Sequence, residues 1–103
     1  MSPDAKTAIR DLSRILFGGA QYRLEVACAI AAGDGVVCIK ELAEELGEPP
    51  GQGSVNTELK KLEEAGLLTR QPRSAGDRRV MLKREQSGYW ACCEELATRA
   101  NEG

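Results

Sequence analysis

A chain of 103 residues has room for one folded domain and no second. It is 42% hydrophobic and 29% charged, ordinary for a soluble globular protein, and no apolar run approaches the ~20 residues of a membrane span. It has no histidine, so no His-based triad or His general base exists, and no glycine-rich loop leads into a lysine as phosphate loops do; an enzyme is not expected.

The start, "MSPDAKTAIRDLSRIL", has acids where a leader would need a continuous apolar stretch, so a cytoplasmic protein is expected. Cys28, Cys38, Cys92 and Cys93 form no CxxC and lack histidine partners, which argues against zinc and for buried small hydrophobes in a reducing compartment. No metal and no cofactor are expected. The adjacent pair Cys92–Cys93 leaves a redox response open.

Along the chain, residues 4–17 carry Ile9, Leu12, Ile15 and Leu16 at helical spacing and predict an amphipathic helix closed by Gly18 and Gly19. Residues 20–32 are apolar on nearly every face and predict a buried helix. "VVC" at 36–38 reads as a short strand. In "IKELAEELG", Ile39, Leu42, Ala43 and Leu46 fall on one helix face, and Gly47 ends it.

"EPPGQG" reads as non-helical. The next helix is expected over 53–65, with Val55, Leu59 and Leu62 inward and Gly66 as its stop. Strands at 67–71 and 79–83 flank a basic turn, "PRSAGD", and a last helix covers 88–100, with Cys93, Leu96, Ala97 and Ala100 on one face. The expected class is α+β, mostly α. A core over 20–83 with a three-stranded small sheet carries extra helices at both ends, all within the single domain 1–103.

Charge is segregated along this order. The net is −2, yet residues 51–84 carry +4 while the flanking segments are each −3. Two short helices followed by a basic hairpin have a physical use on DNA. The second helix fits the major groove, and the hairpin reaches phosphates or the neighbouring minor groove. The whole-chain acidity does not oppose this, because the field felt by DNA is local, within a Debye length of ~8–10 Å.

The stretches "IKELAEELG", "SVNTELKKLEEAGLLTRQ" and "DRRVMLKREQSG" resemble the winged helix-turn-helix regulators of bacteria. They are most similar to the multiple-antibiotic-resistance regulator (MarR) type, with the arsenical-resistance (ArsR) type second. "GDRR" at 76–79 is similar to a MarR-type wing tip, and the resemblance spans roughly residues 22–90. It implies a cytoplasmic homodimer that binds double-stranded DNA and regulates transcription.

Carried over by position, the DNA contacts would be Gln52, Ser54, Asn56, Thr57, Lys60 and Lys61 on the recognition helix. Arg73, Arg78 and Arg79 would serve the wing, with Asp77 steadying an arginine. The terminal helices would form the dimer seam through Ile9, Leu12, Ile15, Leu16, Trp90 and Leu96. The sequence departs from the pattern in its longer "PPGQG" turn and in Glu58, a carboxylate that in a groove could only accept from cytosine N4. It lacks the Cys-x-Cys of metal-sensing ArsR proteins. The turn, Glu58 and the acidic balance favour a rival reading: a winged-helix module that binds a protein partner in place of DNA.

Overall fold

The computed structural model describes residues 3–72, 76 and 79–102. Its elements in order are α1 (Pro3–Leu16), α2 (Arg23–Ala32), β1 (Val36–Cys38), α3 (Ile39–Leu46), α4 (Gly51–Glu64), β2 (Leu68–Arg70), β3 (Met81–Arg84) and α5 (Gly88–Glu102). The three strands form one antiparallel sheet in the order β1-β3-β2. Leu82 sits at the centre of the register, opposite Val37 on one side and Arg70 on the other.

The helix ends follow from local chemistry. α4 stops two residues before Gly66, whose φ of 80° only glycine adopts cheaply. There the N–H of Gly66 reaches the carbonyl of Glu63 (3.1 Å) and that of Leu67 reaches Leu62 (2.9 Å), the paired bonds of a Schellman end. The start of α4 corrects the sequence reading, because Gly51–Gly53 are helical. Pro49 and Pro50 fall just ahead of the helix, where a missing N–H leaves no helical bond unmade. Gly51 has φ 76°, and an added Cβ would lie 2.6 Å from a carboxylate oxygen of Glu48. α2 begins at Arg23 rather than residue 20, since the intervening turn closes through Gly19 N–H to Arg14 O and Ala20 N–H to Phe17 O.

The core is built from one face of every helix and of the sheet. Leu24, Val26, Ala27 and Ile30 of α2 lie at its centre. Val55, Leu59 and Leu62 of α4 join Leu42 and Ala43 of α3, with Leu68, Val37 and Leu82 closing the sheet side. Each large aliphatic side chain removed from water in this way contributes about 1.5–3 kcal/mol. α1 packs against α2 and α5, while α3 and α4 pack on each other as the helix-turn-helix pair.

Polar groups within this core are satisfied. Ser13 is fully buried; its hydroxyl donates to the carbonyl of Ala20 (2.6 Å) and accepts the N–H of Leu24 (3.1 Å), tying α1 to the start of α2. Arg10 donates to Glu25 through Nε (2.7 Å) and Nη2 (3.2 Å), and Nη2 also reaches the carbonyl of Pro49 (3.2 Å). One guanidinium thus joins α1, α2 and the turn that leads into α4. On the far side, Arg84 Nη1 donates to the carbonyls of Ile30 (2.7 Å) and Ala31 (2.9 Å), satisfying the end of α2 from strand β3.

Candidate nucleic-acid interface

Helix α4 is anchored on one side only. Val55, Leu59 and Leu62 are buried, while Gln52, Thr57, Lys60 and Lys61 are exposed and Ser54 and Asn56 are half-buried. At 100° per residue, Gln52 and Lys61 lie on opposite flanks, and Thr57 and Lys60 fall between them, facing outward. The Thr57 hydroxyl donates to the carbonyl of Gly53 (3.0 Å), which leaves its lone pairs as acceptors for a ligand.

The two flanks differ. Gln52 and Asn56 share a cleft of about 400 Å³ with Lys40 and Ile39 of α3 and with Arg79 and Val80 at the foot of the wing. Two carboxamides and two cations therefore meet at one edge of α4. Lys40 was passed over in the sequence reading, which followed only the apolar face of its helix; its one signal was a basic residue in the first turn of the helix ahead of α4. On the opposite flank Lys61 borders a depression with Phe17, Arg23, Glu58 and Tyr89.

Glu58 is not a groove residue. It is 8% exposed and points inward, where its Oε1 accepts from Arg23 Nε at 2.8 Å. The Arg23 guanidinium also lies over the ring of Phe17, 5.6 Å from its centroid. The carboxylate that seemed to oppose phosphates thus braces α4 against α2.

The basic segment is likewise partly committed inside the molecule. Arg70 forms a two-pronged pair with Glu63, both contacts 3.2 Å, joining β2 to the end of α4. The hydrogen bond from Arg70 holds the Glu63 carboxyl below its usual range and raises the guanidinium above its own. Arg79 Nη1 lies 3.4 Å from Glu41 of α3. Arg73, Asp77 and Arg78 lie outside the described residues.

The expected dimer seam separates into two groups. Ile9 and Trp90 are a correction: both are buried in the core of their own chain, and the Trp90 indole donates to the carbonyl of Glu85 (2.8 Å). The spacing of α1 marked the helix face correctly, but α2 and α5 cover its first half. Leu12 and Leu96 pack half-buried on the core, and Ile15 (77%) and Leu16 (49%) remain exposed at the end of α1.

The cysteines are not equivalent. Cys28 donates to the carbonyl of Cys93 (3.3 Å), and burial pushes its thiol up to about 12. Burial also raises Cys93; Cys38 is buried and Cys92 exposed. At pH 8 a thiol titrating four units higher is thiolate in about one molecule in ten thousand. Iodoacetamide should therefore label Cys92 first and Cys28 far more slowly. Peptide mass spectrometry showing equal rates at the two would contradict this environment. Among the described residues, no helix is long and apolar enough to cross a membrane.

A three-stranded sheet whose hairpin follows a helix-turn-helix pair defines the winged-helix fold, here with a helix added at each end. Solved structures share it, among them two of MarR. A cysteine-to-serine mutant of MarR from E. coli superposes with a TM-score of 0.66 at 21% identity, over 95% of this chain and 68% of that one. The same mutant complexed with operator DNA gives 0.60 at 22% identity, over 91% and 64%. The arrangement is thus the MarR-type winged helix. The sequence matches no family model and no curated protein.

Proposed function

We propose that this chain is a non-enzymatic, DNA-binding transcriptional regulator of the cytoplasm that works as a homodimer. The observation that carries the reading is the outer surface of α4. A helix locked to the core by Val55, Leu59 and Leu62 presents Gln52, Asn56, Thr57 and Lys60 beside a cation at the foot of the wing. Asn and Gln suit adenine edges in the major groove, and Lys and Arg suit phosphates. The MarR-type likeness, which extends to a structure holding operator DNA, supports the same reading. The exposed Ile15 and Leu16, together with the half-buried Leu12 and Leu96, are the proposed dimer contacts. The protein-partner alternative loses the support of Glu58, which faces Arg23.

The test is fluorescence anisotropy with a random duplex of about 30 bp, long enough for two half-sites one helical turn apart. Micromolar binding that weakens linearly in log salt is expected. Lys60→Ala should weaken binding to every duplex and flatten the slope by about one unit, whereas Asn56→Ala should change sequence preference by about 1–3 kcal/mol per site. No binding at low salt would refute the reading.

A further inference from the structure

The pair between Arg79 and Glu41 has a direct bearing on DNA affinity. Arg79 stands at the foot of the wing, in the cleft shared with Gln52, Asn56 and Lys40. Its ionic partner Glu41 belongs to the first turn of α3, 38 residues earlier, with Nη1 and Oε1 3.4 Å apart. Both side chains are well exposed, 59% and 66%. Exposed pairs hold weakly and are screened by salt, so this one opens readily.

We propose that Glu41 is an internal competitor for DNA at Arg79, pairing with the guanidinium that the duplex needs and yielding it when the duplex docks. This rests on the DNA-binding reading above. The physics is that of counterions. A cation that meets a phosphate releases a condensed counterion and adds about 0.9 to the salt slope. When that cation is already balanced by its own carboxylate, the gain is offset by the broken pair. The freed carboxylate is then left beside the phosphates, within a Debye length. Glu41 therefore lowers affinity for any duplex.

The other charges around the pair do not explain it away. Lys40 precedes Glu41 and lies in the same cleft, so it adds positive field to the site. Glu44 and Glu45 follow about one turn along α3 and add negative field, while Glu41 is the carboxylate 3.4 Å from Arg79.

The experiment uses the full chain and a random duplex titrated at several salt concentrations. Glu41→Gln keeps size and polarity and removes the charge. It should bind about three- to tenfold more tightly at low salt, with a slope steeper by about one unit. In an Arg79→Ala background the same change should tighten binding clearly less, because only repulsion by the carboxylate then remains. Glu44→Gln, one turn along the helix, should stay within twofold of the parent. Thermal melts of each variant check that folding is unchanged.

Equal tightening by Glu41→Gln with and without Arg79, or equal tightening by Glu44→Gln, would mean general repulsion and overturn the competitor role. Weaker binding by Glu41→Gln would mean that the carboxylate aims Arg79, and would overturn it as well. A parent that fails to bind duplex at low salt removes the DNA reading itself and the competitor with it. Measuring the parent first keeps the two failures apart.

Discussion

Arg10→Ala should lower folding stability by about 3 kcal/mol, the lower end of the range for breaking a buried ion pair. Glu25 is 4% exposed, and both its oxygens accept from Arg10. Removing the guanidinium strands a carboxylate between α1 and α2 and also frees the carbonyl of Pro49. The Arg10 side chain keeps 16% exposure, so water enters part of the vacated space and the upper end of the range is not reached. For a domain of this size the midpoint of a thermal melt should fall by about 12 °C or more. Adding Glu25→Leu should recover much of the loss, since the stranded charge is then gone. A loss under about 1 kcal/mol in urea melts would show that Glu25 is solvated, contrary to its burial.

Leu59→Ala should cost about as much, roughly 3 kcal/mol, through the cavity it leaves at the centre of the α4 anchor. Leu59 is 1% exposed and sits among Val55, Leu62 and the buried faces of α2 and α3, which cannot collapse without moving a helix axis. Leu59→Met, which conserves volume, should cost less than about 1.5 kcal/mol. The adjacent Lys60→Ala should change stability by less than about 0.5 kcal/mol while lowering DNA affinity. Melts and binding curves on these neighbouring positions therefore separate the two faces of one helix. If Leu59→Ala proved as harmless as Lys60→Ala, the orientation of α4 would be wrong.

Periodicity made most of the fold legible. The apolar spacing of "IKELAEELG" and of Val55, Leu59 and Leu62 marked α3 and α4, and the alternating stretches around the basic turn marked β2 and β3. Most of the errors lie where one residue answers to another far along the chain. Glu58 looked like a surface acid because its partner Arg23 is 35 residues away. Ile9 and Trp90 looked like a seam because helix spacing marks an apolar face without saying which neighbour covers it. The start of α4 was misread because prolines were taken to exclude a helix that they only precede.

The same long-range pairing offsets part of the basic charge. Arg23, Arg70 and Arg79 each face a carboxylate from another element, at 2.8, 3.2 and 3.4 Å. The innermost pair braces α4 against α2. Burial grades the three, with the arginine side chain 24% exposed at Arg23, 50% at Arg70 and 59% at Arg79, a ranking that residue type alone does not reveal.

Arg84 gives the wing a mechanical character. Its guanidinium pins β3 to the last carbonyls of α2, so the foot of the hairpin behaves as a lever clamped at its fulcrum. Through that contact and its pairing with β1 and β2, β3 is tied at once to the sheet and to the end of α2. The base of the hairpin and the central helix of the core are thus joined by a side chain as well as by backbone.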